Sequence, residues 1–203
     1  MRKIRFEEIL ALDAYEAVRP RVRQEMIAYK KVRRVPLGDL VSVTFDNHRT
    51  LWFQIQEILR VERISAPEAV RDEVAVYNSL LGDGPTLSAT LFIEIPDQSK
   101  IPEVLHRLLG VEDYVSLVVG EQRFPAQAEP GRTKEEKTSS VHYLTIPMGP
   151  DGARQLADHA GSVWLEVAHP TYRHRAKLSP ATVAALVADL TEPEDGEPPS
   201  NPG

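Results

Sequence analysis

The strongest constraint on the fold is a run in which aliphatic side chains recur at every second position between residues 87 and 95. These side chains are Leu87, Ala89, Leu91, Ile93 and Ile95. A repeat of two residues is typical of a β-strand with one face in a core, and the length of this run predicts a strand in the centre of a sheet. Shorter patterns predict further strands at 41–45, 114–119, 122–126, 141–146 and 162–168.

Helical periodicity precedes these strands and separates them. Apolar side chains recur three or four positions apart between residues 15 and 29, which predicts one helical face; Pro20 either kinks this helix or begins a second one. Pro36 and Gly38 are expected to end the helical region. Ser65 and Ser179 are the expected N-terminal caps of two later helices. The later helices are predicted at 49–64, 66–81, 102–108, 151–160 and 180–190.

The order of these elements predicts the fold class. Helices come first, and strands with interspersed short helices follow, which favours an α+β protein with N-terminal helices packed on a mostly antiparallel sheet. Neither a repeat nor a long linker divides the 203 residues, so a single domain is expected over 1–190. Residues 191–203 hold four acidic residues and four prolines without an aliphatic or aromatic side chain, which predicts a disordered tail.

Several absences narrow the classes of protein to which the chain can belong. It has no cysteine, which excludes disulfides, iron–sulfur ligation and thiolate zinc sites. No apolar run approaches the roughly 20 residues of a membrane span, and the first residues lack the apolar segment of an export signal, so a cytoplasmic location is expected. No glycine-rich phosphate loop, nucleophile elbow or His-Glu-x-x-His motif is present, so the common nucleotide-binding and hydrolase templates are unsupported.

Positive charge is concentrated at the start of the chain. Residues 1–34 hold ten Lys or Arg and five Asp or Glu, although the whole chain has a formal net charge of -6. The cluster of Lys30, Lys31, Arg33 and Arg34 can meet phosphate or an acidic partner, or can be a solvated helix face. The acidic balance of the whole chain argues against a dedicated nucleic-acid-binding protein.

A polar face on the helix predicted at 49–64 is the first candidate site. It carries Gln56, Glu57, Arg60 and Glu62. The spacing of three and four residues lets the Arg60 guanidinium reach Glu57 and Gln56 on the helix surface. One interpretation is a solvated surface with weak ion pairs. The other is a ligand site in which Arg60 binds an anion while Glu57 acts as a base or a metal ligand.

The second candidate site is the aromatic and basic segment 166–175, which is predicted to form a loop after a strand. His169 and His174 can converge on a transition metal there, with His142 of a neighbouring strand as the third ligand. Alternatively, hydrogen bonds and stacking of these side chains fix the loop. Tyr172 and Arg173 are candidates for ligand binding.

Five runs of residues resemble the bacterial family catalogued as domain of unknown function 3501 over about residues 3–190. These runs are 33–38, 54–64, 77–78, 135–142 and 169–174. The resemblance adds Tyr77 and Asn78 to the ligand-binding candidates, although Ser79 stands where the family pattern has proline. It implies a single-domain cytoplasmic protein whose genes often lie beside those for rubrerythrin and for a large cysteine-rich iron–sulfur oxidoreductase. It supplies no established catalytic residue.

These observations lead to two functional hypotheses. The first is a non-catalytic accessory or binding protein of a redox or peroxide-detoxifying system, with rubrerythrin or the iron–sulfur oxidoreductase as the partner that holds the metals. The second is an enzyme, or a domain that binds a small ligand or a metal. In the second hypothesis one polar pocket gathers both candidate sites, that is, Glu57, Arg60 and Glu62 with His142, His169, Tyr172 and His174. Assembly into a homo-oligomer is left open.

Overall fold

The computed structural model describes residues 1–129, 138–158 and 162–191. The helices within this part are α1 (Leu12–Lys31), α2 (His48–Glu62), α3 (Pro67–Ser79), α4 (Ile101–Arg107), α5 (Gly149–Asp158) and α6 (Pro180–Thr191). The strands are β1 (Arg34–Leu37), β2 (Val41–Asp46), β3 (Thr86–Ile93), β4 (Val115–Val119), β5 (Gln122–Pro125), β6 (Gln127–Ala128), β7 (Val141–Pro147), β8 (Val163–His169) and β9 (Tyr172–Lys177). The predicted acidic tail lies outside the described residues from position 192 onward.

The strands form two antiparallel sheets. The first sheet has the order β1-β2-β3-β7-β6, and the second has the order β5-β4-β8-β9. Strand β3 lies in the centre of the first sheet, where it pairs Thr90 with Thr44 on one side and with Tyr143 on the other. The α+β class and the central position of this strand are confirmed. The strands form two sheets, whereas the sequence predicted one.

The two sheets share one hydrophobic core. Side chains of both sheets and of the helices α4 and α6 meet in it, so that the short helices complete the core that the strands begin. Its fully buried members include Val43, Phe45, Leu91, Leu117, Leu165 and Leu186. Strand β1 contacts β8 and β9, which brings edges of the two sheets together.

A smaller core holds the N-terminal helices. Met1 and Ile4 of the N-terminal segment (residues 1–11) pack with apolar side chains of α2 and α3. The helix α1 contacts α2 and buries only Tyr15 and Met26, so most of its surface stays outside both cores. Within the described residues, no helix is long and apolar enough to cross a membrane.

Strand β2 buries both of its faces, whereas the sequence predicted one. Val41, Val43 and Phe45 enter the larger core, and the opposite face carries Ser42, Thr44 and Asp46. Thr50 of α2 donates a hydrogen bond to Asp46, which shows that a helix covers this second face. A polar strand face is therefore buried by polar contacts with α2 rather than exposed to water.

Pro20 lies inside the single helix α1, which excludes the alternative that it begins a second helix. The positions of two other local elements correct the sequence predictions. Pro36 lies inside β1, an edge strand, where the missing N–H of proline is tolerated. The segment predicted as a loop around His169 is a tight β8–β9 hairpin, in which His169 faces Tyr172 across the turn.

The predicted helix caps had mixed outcomes. Ser179 caps α6 by accepting a hydrogen bond of 3.0 Å from the Thr182 N–H. Ser65 does not cap α3, because that helix begins after Ala66 and no side chain caps it. The helix α2 is instead capped by Asn47, whose side chain accepts from the Thr50 N–H while the Thr50 hydroxyl accepts from the Asn47 N–H.

Candidate functional site

The predicted polar face of α2 holds α1 in place. Glu57 accepts hydrogen bonds from Nε and Nη2 of Arg19, at 2.8 and 3.0 Å, and one of 2.7 Å from the Tyr15 hydroxyl. The hydrogen bonds from Arg19 are the main reason why the pKa of Glu57 is lowered. Arg60 lies 3.7 Å from Glu57 and 3.5 Å from Glu16 of α1. The predicted contact between Glu57 and Arg60 is present, as part of an ion-pair group that joins two helices.

The other candidates on this face have different surroundings. Gln56 is fully buried; its side-chain oxygen accepts from the Leu10 N–H at 2.8 Å, and its side-chain nitrogen donates to the Leu10 carbonyl at 3.4 Å. Glu62 is exposed. Gln56 therefore binds the backbone of the N-terminal segment in the way that a neighbouring strand would.

Asn78 of α3 makes the same kind of contact farther along the N-terminal segment. Its side-chain oxygen accepts from the Ile4 N–H, and its side-chain nitrogen donates to the Ile4 carbonyl, both at 2.8 Å. Tyr77 is half-buried beside it, and burial raises its pKa. Two side-chain amides on two helices thus fix the N-terminal segment at Ile4 and at Leu10.

A third anchor of the N-terminal segment is ionic. Glu8 accepts two hydrogen bonds of 3.0 Å from the Arg2 guanidinium and lies 2.8 Å from Nε2 of His48. Burial would raise the pKa of Glu8, but its backbone hydrogen bond at Arg5 and the charges of His48 and Arg2 lower it overall. Burial lowers the pKa of His48. These three side chains are nearly enclosed where the segment meets α2.

Tyr172 holds the turn between β1 and β2. Its hydroxyl donates a hydrogen bond of 2.6 Å to the Leu37 carbonyl and accepts one of 2.9 Å from the Leu40 N–H. Gly38 lies in this turn with φ +79°, and a Cβ added there would lie 2.5 Å from the Tyr172 hydroxyl. Arg173 is exposed on the opposite side of β9. Tyr172 is therefore a buried structural contact between the two sheets.

The three predicted metal-binding histidines have separate partners. Nε2 of His142 lies 2.8 Å from the Ser139 carbonyl, and its Nδ1 lies 3.5 Å from the Glu112 carboxylate. Nε2 of His169 lies 3.1 Å from the Leu109 carbonyl. His174 is exposed, with its ring 4.4 Å from that of Tyr172. Among the described residues, no group of three or more His, Asp or Glu side chains could hold a metal ion.

Direct contacts among the described residues do not link the two halves of the predicted polar pocket. Glu57 and Arg60 contact α1, whereas Tyr172 and His174 contact each other and the β1–β2 turn. Across the described part of the chain, no hydrogen bond, ion pair or ring contact joins the two groups. The structure thus brings Glu57 to Arg60 and Tyr172 to His174, and it places Tyr77 where the charge of Glu62 acts on it.

The sequence patterns did not indicate a buried polar group that surrounds Asp46. Asp46 accepts hydrogen bonds from Thr90 at 2.6 Å, from Thr50 at 2.8 Å and from Gln54 at 3.4 Å. Burial raises the pKa of this carboxyl, against the effect of the Thr90 and Thr50 hydroxyls. Burial also lowers the pKa of Lys30, which the Asp46 charge partly opposes. The alternation of Ser42, Thr44 and Asp46 with apolar residues was the available signal, but it indicated a solvated face.

A cleft between β1 and the start of α6 is lined by positive charge. It measures about 330 Å³ and is called the basic cleft below. Its lining residues are Lys31, Val32, Arg34, Val35, Lys177, Leu178, Ser179 and Thr182. Three of these are cations and none is acidic. Arg34 forms an ion pair with Glu94, whereas Lys31 and Lys177 form no ion pair with any described residue.

Comparison with known proteins places the chain beside others whose activity is unassigned. A family model described as "Protein of unknown function (DUF3501)" matches residues 3–190. No curated protein matches the chain. A crystal structure of a novel protein of unknown function from Burkholderia pseudomallei K96243 is similar over 93% of this chain and 99% of that chain, with 32% sequence identity and a TM-score of 0.85. The same fold therefore occurs in a solved relative.

Proposed function

The chain belongs to the DUF3501 family, and from that premise we propose that it is a non-catalytic accessory protein that binds an acidic protein partner. The observation that carries this proposal is one face of α1. Arg23, Ile27 and Lys31 lie four residues apart and so share that face, and all three side chains are exposed. We call these three residues the α1 stripe.

The α1 stripe combines the two features that a docking surface for an acidic partner needs. Ile27 is 64% exposed, and Val32 beside the end of the helix is 38% exposed. Apolar side chains of this size gain free energy when a partner removes them from water. Arg23 and Lys31 form no ion pair with any described residue, so they can meet negative charge on the partner and speed its approach.

The internal contacts of the predicted site residues support a binding role over a catalytic one. Glu57 is occupied by Arg19 and Tyr15, and Gln56 by the backbone at Leu10. Catalytic groups must reach the reacting atoms of a substrate within hydrogen-bond distance. Side chains that already hold two elements of the fold together are poorly placed for that task.

We propose rubrerythrin or the iron–sulfur oxidoreductase of the neighbouring genes as the partner. This choice rests on the gene context that the family resemblance implies. It is compatible with a chain that has no cysteine, since the partner would hold the metals. In such a complex the present protein would position or protect a redox protein while taking no part in electron transfer.

Co-purification from the native host tests the proposal. The full-length chain with a C-terminal affinity tag is compared with the variant Arg23→Glu/Lys31→Glu and with the matched control Arg173→Glu, which reverses an exposed charge on β9. The wild type and the control should enrich an acidic redox protein, and the stripe variant should lose it. Equal enrichment by all three proteins, or repeated absence of any rubrerythrin or iron–sulfur protein, would refute the proposed function.

A further inference from the structure

We infer that the basic cleft binds a small phosphate ester through its phosphate group. This inference goes beyond the proposed function, because the cleft lies where β1, β9 and α6 meet and its ligand is a small molecule. Lys31 and Lys177 come from elements that are far apart in the chain, and the fold brings both to the same cavity.

The charges of the cleft select an anion. Among the described residues, three cations line it and no carboxylate does, in a chain whose formal net charge is -6. Like charges that share a cavity repel each other, and an anion placed between them removes that cost. Arg34 already has Glu94 as a partner, so within the part of the chain that the structure describes Lys31 and Lys177 are the two cations of the cleft that remain available.

The hydroxyl groups of the cleft favour a phosphate oxygen. Ser179 and Thr182 lie 2.8 Å apart through their side-chain oxygens, and the Ser179 oxygen also accepts from the Thr182 N–H. Two hydroxyl groups have two hydrogens, and their mutual hydrogen bond uses one of them. The other hydrogen is left to donate to a ligand oxygen. Phosphate oxygens accept such bonds, and they combine well with lysine ammonium groups.

The size and the apolar lining of the cleft indicate an ester rather than a bare ion. Its volume of about 330 Å³ is at the lower end of the range of about 300–1,000 Å³ that small-molecule sites occupy. Val32, Val35 and Leu178 supply the apolar part of the lining. An organic group attached to the phosphate would contact these side chains, whereas inorganic phosphate would leave them in water.

Titration of the full-length protein tests the inference. Two-dimensional NMR follows the amides of Ser179 and Thr182 while inorganic phosphate, or glycerol 3-phosphate as the ester probe, is added. Both probes should give saturable shifts that weaken with added sodium chloride, and the ester should bind more tightly. An ester that binds no better than inorganic phosphate would overturn the ester assignment, and the absence of saturable shifts would overturn the site.

Substitutions locate the binding and separate it from the partner-binding function. Lys177→Ala and Lys31→Ala should each weaken ester binding by at least about 5-fold, while Arg173→Ala, an exposed cation on the same strand as Lys177, should leave it unchanged. Thermal unfolding of each variant verifies that it folds. Equal affinity in Lys177→Ala and the wild type would refute the site. Lys31 belongs to both surfaces, so the separation rests on two other residues. Arg23→Glu, outside the cleft, should retain ester binding, and Lys177→Ala, outside the α1 stripe, should retain the protein partner, so that each proposal can fail without the other.

Discussion

Arg33 and Asp189 lie 156 positions apart in the chain and form a doubly hydrogen-bonded ion pair, with N–O distances of 2.6 and 2.9 Å. Neither side chain is more than 4% exposed. Burial alone would lower the pKa of Arg33, but the hydrogen bonds and the charge of Asp189 raise it overall. Asn47 donates a further hydrogen bond of 2.8 Å to Asp189. The end of α1, the start of α2 and the end of α6 are therefore joined at one carboxylate.

Removal of Asp189 should destabilise the protein strongly. Asp189→Ala leaves the Arg33 guanidinium buried without its counter-charge, which costs about 3–5 kcal/mol of unfolding free energy. Urea denaturation followed by circular dichroism measures this loss. The double variant Arg33→Met/Asp189→Leu removes both charges and should recover most of the stability. A single variant within about 1 kcal/mol of the wild type would contradict the role of the pair.

The regular elements could be predicted from the sequence, but this ion pair could not. Periodicity of two or of three to four residues reports which face of one element is apolar, and it located β3, α2 and α6 correctly. It carries no information about which polar side chains meet across 156 positions. Arg33 belongs to a run with Lys30, Lys31 and Arg34 that is typical of a solvated surface, yet its side chain is buried where it meets Asp189 of α6.

The side-chain amide of Asn78 should control the order of the N-terminal segment. Asn78→Ala removes both hydrogen bonds to the Ile4 backbone, which should lower the local stability by about 1–3 kcal/mol. Hydrogen exchange at the Ile4 amide should therefore accelerate. Ser79→Ala, a change at the exposed neighbouring position, is the matched control and should leave the rate unchanged. Equal exchange rates in the Asn78 variant and the wild type would show that other contacts hold the N-terminal segment in place.

The contact between Asn78 and the Ile4 backbone explains why the candidate sites were only partly predictable. The sequence marked Gln56, Glu57, Asn78 and Tyr172 as candidates for ligand binding, and in the structure each of them bonds to another residue of the same chain. A side-chain amide offers the same donor and acceptor to a ligand as to a peptide group. Residue type and spacing therefore cannot distinguish a ligand site from a contact with the chain's own backbone. That distinction appears only when the N-terminal segment is placed over α2 and α3.

The turn at Gly38 should tolerate alanine poorly. Gly38→Ala places a Cβ 2.5 Å from the Tyr172 hydroxyl at a positive φ, whereas Gly84 has φ +59° and a Cβ added there would have nothing within 4 Å. Both substitutions carry the backbone cost of about 1–2 kcal/mol for a left-handed alanine. The steric contact adds to it only at Gly38. The melting temperature of Gly38→Ala should therefore be lower than that of Gly84→Ala, and equal melting temperatures would exclude a tight turn.

Acid should release the N-terminal segment before the rest of the fold. The pKa values of Glu8 and His48 are both lowered in the folded protein, against reference values of about 4.3 and 6.5. Because folding lowers the pKa of each group, each group stabilises the folded protein at pH values above its reference pKa. This stability is lost as the pH falls from the reference pKa through the pKa of the folded protein. The loss should therefore begin below about pH 6.5 with His48 and continue with Glu8.

Trp52 provides the readout for this pH dependence, because its indole N–H donates a hydrogen bond of 2.9 Å to the Glu8 carbonyl. In a Trp164→Phe background the fluorescence of Trp52 should change as the pH falls from about 7 to about 4, the range that spans the two reference values. His48→Gln should remove the part of the change that begins first. A fluorescence profile that is flat over this range while the protein stays folded would contradict the ionic anchor.

The acidic end of the sequence should slow the association with the proposed acidic partner. Residues 192–203 hold four acidic residues and no Lys or Arg, in a chain whose formal net charge is -6. Their removal weakens the long-range repulsion between two acidic proteins, and so should raise the association rate at low salt while leaving the dissociation rate nearly unchanged. Stopped-flow mixing with the partner measures both rates.

A full-length variant in which Glu192, Glu194 and Glu197 become Gln and Asp195 becomes Asn should match the shortened chain, because charge is the cause. If the shortened chain alone associates faster, length rather than charge is responsible, and the electrostatic account fails.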